Sequence, residues 1–142
     1  MRMETRNKSI DKLYKRRSRI IMPEFQRNEV WNSIKKQKLI DTILKGWRIP
    51  KLYFKVDDSK DPVYECIDGQ QRLNAMFEFY EGKINLPEEA KKTYGGNSYK
   101  TLSDEYSDKF DDFELQIDEI EDAGDEELEE LEASVTDAEE ED

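Results

Sequence analysis

The sequence predicts a single α/β (α+β) domain, a small mixed sheet with flanking helices, followed by an acidic, partly disordered C-terminal tail. Three observations lead there. A length of 142 residues suits one domain and not two. Segments of helical period and segments of strand pattern follow one another through residue 120. From Asp104 onward 21 of 39 residues are acidic and Lys109 is the only basic one, so the end of the chain is poor in apolar residues. The expected limits are a domain over 1–122 and an acidic tail over 123–142.

The elements can be justified in order. Residues 9–17 read as a short helix with Ser9 as its cap and basic residues in the last turn, where the helix dipole favours them. Ile20–Met22 is a brief strand that Pro23 ends. Asn32 caps the clearest helix, whose apolar stripe is Leu39, Ile40, Ile43 and Leu44 and whose stop is Gly46. Lys35, Lys36 and Lys38 fall on its exposed side. Residues 51–56 and 63–67 read as strands joined by the turn chemistry of Asp57–Pro62, hence a hairpin. Residues 73–80 are helical in composition and stop at Gly82. A short strand is expected over 83–86 and a loop over Tyr94–Ser98. Phe113–Ile120 alternates, with Phe113, Leu115 and Ile117 inward and Glu114 and Asp118 outward. The tail begins with a helix through Leu128 and Leu131.

Composition excludes several chemistries. The chain has no histidine, so no Ser-His-Asp or Cys-His pair, no HNH nuclease and no zinc-histidine site can form within it. Cys66 is the one cysteine, so no internal disulfide exists, and its apolar strand context predicts a buried thiol rather than a nucleophile. No apolar run approaches the ~20 residues that cross a bilayer, and no signal peptide is visible. A cytoplasmic, reduced protein without membrane contact is expected.

The net charge of -12 hides an asymmetry. Residues 1–56 hold 16 Lys and Arg against 5 Asp and Glu, while residues 57–142 hold 7 against 30, so +11 and −23 combine to -12. The basic third can meet phosphate, with Arg16, Arg17, Lys35, Lys36 and Lys38 as candidate DNA contacts. Equally open is a solvated basic region lying against the acidic half of the same chain.

The densest chemistry is Asp68-Gly69-Gln70-Gln71-Arg72, at a strand-to-helix junction. Gly69 lets the backbone turn sharply. The following helix offers unpaired N–H groups and a positive dipole end to an anion. Arg72 brings a fork suited to phosphate oxygens. Asp68 is the candidate Mg²⁺ ligand or water-orienting group. Gln70 or Gln71 can position an attacking water. Phosphoryl transfer rests on positioning and charge, so the lack of histidine does not oppose it. The same five residues also suit a plain turn with Asp68 as helix cap and Arg72 in a surface ion pair. No P-loop occurs.

A second segment, Pro23-Glu24-Phe25-Gln26-Arg27-Asn28-Glu29-Val30-Trp31, places Gln26 and Arg27 between large aromatics, as in a binding loop, or else as core aromatics with an ion-paired arginine. Trp47 and Arg48 are expected to pack beside a helix end. Tyr53, Phe54, Phe77, Phe79 and Tyr80 are expected in the core.

Taken together, Pro-Glu-Phe-Gln-Arg-Asn-Glu-Val-Trp, the helix Lys-Leu-Ile-Asp-Thr-Ile-Leu, Ile49-Pro50, and Ile-Asp-Gly-Gln-Gln-Arg-Leu resemble the ParB-like domain at the N-terminus of GmrSD-type, modification-dependent restriction enzymes. The match in motif order and spacing covers about residues 20–82. The resemblance implies a ParB/sulfiredoxin-like fold. It implies nucleotide binding and hydrolysis at Asp68, Gly69, Gln70, Gln71 and Arg72, with Phe25, Gln26 and Arg27 near the same pocket and Mg²⁺ accompanying a nucleoside triphosphate. It also implies a regulatory role in anti-phage DNA restriction, with phage DNA, in modified form, and a C-terminal HNH-type nuclease domain or subunit as partners. The chain departs from the family pattern after Leu131, where Glu132-Ala-Ser-Val leads into acid. A split subunit, a truncated gene or a remnant is therefore expected, and no nuclease activity. The rival reading is a non-enzymatic DNA-binding module that hydrolyses nothing.

Overall fold

The computed structural model describes residues 1–23, 30–57 and 59–140. Five described strands form one mixed sheet. They are β1 (Arg2–Ser9), β2 (Ile20–Ile21), β3 (Leu52–Val56), β4 (Tyr64–Asp68) and β5 (Glu114–Glu121). The order across the sheet is β1-β5-β3-β4-β2. The β1–β5 and β3–β4 pairs are antiparallel, and β3–β5 and β2–β4 are parallel. The helices are α1 (Ile10–Lys15), α2 (Ser33–Leu44), α3 (Gln70–Tyr80), α4 (Ala90–Tyr94), α5 (Asp104–Asp112) and α6 (Asp125–Glu140).

Local chemistry sets the helix ends. The Ser9 hydroxyl accepts from the Lys12 amide at 3.2 Å, and Asn32 Oδ1 accepts from the Lys35 amide at 2.9 Å. Each satisfies an amide that the first turn leaves unpaired, a contribution of about 1 kcal/mol. Helix α1 ends at Lys15, short of the expected Arg17, because the chain tightens into a 3₁₀ turn over Arg17–Arg19.

The principal core lies between one sheet face and helices α1, α2, α3 and α5. Leu39, Ile40, Ile43 and Leu44 of α2 are all buried in it, as the stripe requires. Phe79 of α3 meets Phe110 of α5 with ring centroids 5.3 Å apart. Phe54, Phe77 and Phe79 are buried, and Tyr80 is partly buried against them. On the other face a smaller cluster of Ile67, Ile120 and Leu128 forms, with Tyr53 and Leu131 packed on it. The acidic helix α6 is held to the sheet through these few apolar side chains.

Four expectations need correction. Residues 83–86 are not a strand: the Leu86 amide donates to the Asn97 carbonyl at 2.7 Å, which ties that segment to the Gly95–Ser98 loop. Asp118 does not lie in solvent; it is 5% exposed, because the Thr5 side chain of the neighbouring β1 and the Lys51 side chain cover its carboxylate. Trp47 does not pack beside the end of α2 but is 61% exposed. Lys36 does not sit free on the outer side of α2, since its Nζ is 2.8 Å from Glu78 Oε1 on α3.

Candidate functional site

The junction between β4 and α3 is built around Gly69. Its backbone is left-handed, with φ of 95°, and it starts α3 without any side-chain cap. A Cβ at this position would come within 2.3 Å of Leu52 Cδ2 and 3.0 Å of the Arg72 guanidinium. Leu52 is fully buried in the core, so it has nowhere to yield. Glycine is required here both by conformation and by space.

Arg72 lies one turn into α3 and is 4% exposed. One guanidinium nitrogen donates to the Lys51 carbonyl at 2.8 Å and lies 3.6 Å from Asp68 Oδ2. Burial lowers the Arg72 pKa from its ordinary value, and the Asp68 carboxylate opposes that shift. Asp68 is itself 9% exposed. The motif's arginine thus braces the start of β3 and the end of β4 from inside the fold, and it is not in a surface ion pair.

The two glutamines diverge. Gln70 Nε2 donates to the Cys66 carbonyl at 2.9 Å, which closes the first turn of α3 onto β4. Gln71 Oε1 accepts from the Trp31 amide at 3.2 Å, fastening the stretch before α2 to the junction. The Gln71 Nε2 atom is buried and has no hydrogen-bond partner among the described residues. A buried amide donor left unpaired costs roughly 1–3 kcal/mol, so it points to a missing acceptor. Cys66 is buried beside the junction, and burial pushes its thiol up to about 12, which makes it inert at neutral pH as expected.

Sheet register brings in residues that sequence reasoning missed. Tyr53 pairs with Asp68 on one side and Asp118 on the other. Asp118 Oδ2 is 2.8 Å from Lys51 Nζ, and its Oδ1 accepts from the Thr5 hydroxyl at 2.7 Å. The hydrogen bond to Asp118 raises the Lys51 pKa. A polar line therefore runs from Thr5 on β1 through Asp118 and Lys51 to Arg72. Nothing in local sequence pattern signals it, because each contact joins residues far apart in the chain.

Residues 10–142 match a family model described as the GmrSD restriction endonuclease, N-terminal domain. The chain belongs to this family. No curated protein and no solved structure matches the chain. Membership ties this GmrSD N-terminal domain to DNA restriction and is consistent with a nuclease domain and DNA as partners. No helix among the described residues is long and apolar enough to cross a membrane.

The remaining site candidates of this GmrSD domain are scattered. Gln26 and Arg27, with Phe25, lie outside the described residues. The Arg17 guanidinium lies over the Tyr14 ring at 4.1 Å and donates to the Tyr14 carbonyl, so it is engaged locally. Arg16 is exposed just past α1. Lys35 and Lys38 are exposed on α2. No group of three or more His, Cys, Asp or Glu side chains suited to a metal ion occurs among the described residues. Asp68 alone, beside the Arg72 cation, does not make a free-standing Mg²⁺ site. It fits only an ion whose other ligands are phosphate oxygens and water, which is how Mg²⁺ commonly binds.

Proposed function

We propose that this domain binds a nucleoside triphosphate at the start of α3 and, through the bound state, regulates DNA restriction by an associated nuclease. The observation that carries this reading is the uncapped opening of α3. Its N-cap, Gly69, has no side chain to accept from the first amides, its dipole end is positive, and the Gln71 amide beside it has a buried donor without a partner among the described residues. A phosphate oxygen would satisfy both requirements at once.

In this reading Gly69 permits the close approach, and the amides of the first turn hold the phosphate. Gln71 Nε2 donates to a phosphate oxygen or to a water against it. Arg72 supplies positive potential from behind and fixes the turn, in place of the exposed fork that its sequence position suggests. Asp68 is the carboxylate that would meet Mg²⁺ arriving with the nucleotide. Gln26 and Arg27 would complete the pocket. Hydrolysis is a further step, with Gln70 or Gln71 orienting the water.

Isothermal titration of each nucleoside triphosphate with Mg²⁺ tests the proposal, using Gln71→Glu beside the wild type. Arg72→Ala is the weaker probe, because removing a buried brace confounds binding with folding. Gln71→Glu keeps an acceptor for the Trp31 amide but sets a carboxylate where a donor is needed. Binding by the wild type that falls at least about tenfold in the variant supports the assignment. Failure of the folded wild type to bind any nucleotide, or equal affinity in both proteins, overturns it.

A further inference from the structure

The outer face of α2 is unlike the rest of this acidic chain. At 100° per residue, Lys38 and Lys45 fall on the side of α2 away from the buried Ile40 and Ile43, and Lys35 lies at the flank of that side, next to Leu39. They span about 15 Å along the axis. Gly46, with φ of 76°, follows immediately, and Trp47 beyond it lies against Lys45 at the end of that face, with Arg48 exposed next in the chain. Each end of the face holds a lysine over an indole. Lys35 Nζ lies 4.7 Å from the Trp31 ring centre, and Lys45 Nζ lies 4.8 Å from that of Trp47. Trp31 is tied into the core, but Trp47 is 61% exposed. Asp41, the only acid on the face among the described residues, is occupied by the Tyr94 hydroxyl and by Lys45 at 2.9 Å.

We propose that this face docks a nucleic-acid strand, with Lys35, Lys38 and Arg48 along its phosphates and an unstacked base against the open side of Trp47. The inference does not depend on the nucleotide site at α3. Two features favour a strand over a protein partner. Lysine is depleted at protein–protein interfaces, and this face carries three lysines around one exposed aliphatic side chain, Ile34. Indole stacking combined with spaced cations is the arrangement that binds single strands with little sequence preference. Charge reinforces the choice: the basic first 56 residues sit in a chain of net charge -12, so a polyanion is repelled from most of the surface and steered to this part. A duplex keeps its bases stacked and offers Trp47 nothing but backbone.

Fluorescence anisotropy of the full chain with a labelled oligothymidine and with a duplex of equal length tests this. Trp47→Ala should weaken single-strand binding about tenfold or more, while Trp47→Phe recovers most of the loss. The double change Lys35→Ala with Lys38→Ala should lower the salt dependence by about 0.7 per lysine. Circular dichroism should be unchanged in all variants, since every altered side chain is exposed. Equal affinity of wild type and Trp47→Ala overturns the proposal, as does binding confined to the duplex. A Trp47→Ala defect seen only in capture of a nuclease subunit overturns it too, by assigning the face to protein.

Discussion

Two positively charged regions of this molecule use similar side chains in opposite ways. At the β4–α3 junction Arg72 is buried, its guanidinium spent on the Lys51 carbonyl and the Asp68 carboxylate. On the outer face of α2, Lys38 and Trp47 stand in solvent. The junction is fixed before any ligand arrives, with its surrounding contacts already made. On the α2 face, Lys38 has no ion pair among the described residues and Trp47 touches Lys45, while Asp41 alone is tied to another element, through Tyr94. A buried cation chiefly shapes backbone for others to use, whereas exposed cations beside an open ring are positioned to meet a partner. Stability should therefore be sensitive at the first region and binding at the second.

The largest expected effect breaks the comparison at the junction. Arg72→Ala removes the partner of a carboxylate that is 9% exposed and leaves the Lys51 carbonyl without its donor. Losing one member of a buried ion pair should destabilise the domain by roughly 3 kcal/mol. Urea denaturation would show this as a lower midpoint with an unchanged slope. A loss below about 1 kcal/mol would mean that the guanidinium is not bracing the two strands, and the junction would then resemble the α2 face after all.

How much of this was legible in the sequence differs between the same two regions. Helix α2 was readable almost to the residue, since Asn32, the apolar stripe and Gly46 are local signals. The hairpin of β3 and β4 and the position of Gly69 at a strand end were readable for the same reason. Strand β1 was not, because Arg2–Ser9 has no apolar period. It is an edge strand whose charges find partners on β5, such as Arg6 Nε with Glu119 Oε1 at 2.9 Å. Without β1, β5 looks like an edge, and Asp118 is wrongly placed in water. The link from Thr5 through Asp118 and Lys51 to Arg72 was hidden with it. The exposure of Trp47 was also not legible, because a tryptophan after a helix stop is packed more often than not. The turn at Gly46 directs it outward.

A pH experiment sharpens the comparison from the middle of its range. Asp41 lies on α2, where it is half-buried between Lys45 and Tyr94. Its partial burial would push its pKa up, but hydrogen bonds from Tyr94 and Lys45 outweigh that and hold it below the ordinary 3.8. A carboxyl with a depressed folded pKa adds stability above its unfolded value, and that stability is lost as pH falls through the folded one. Asp41→Asn should therefore be less stable than wild type at pH 7, and the difference should begin to shrink as pH falls below about 3.8 and vanish only below the depressed folded value. With its side chain 39% exposed, the deficit should stay under about 1 kcal/mol. A deficit that persists unchanged in acid would show that the contact to Tyr94 acts through packing and not through charge.

The smallest expected effect is the most discriminating. Trp47→Ala should change the unfolding midpoint by no more than about 0.5 kcal/mol, because a side chain 61% exposed has little burial to lose. Its ring contact with Lys45 is exposed and adds only about 0.5 kcal/mol, the low end for such pairs, and Lys45 keeps Asp41 as a partner when the ring is gone. The largest exposed aromatic group would then contribute almost nothing to the fold. Such a residue has no folding reason to be tryptophan. If thermal and urea unfolding instead show a loss above about 1 kcal/mol, the ring is a structural cover for the end of α2. The separation between a braced junction and an open binding face would then fail at its most exposed point.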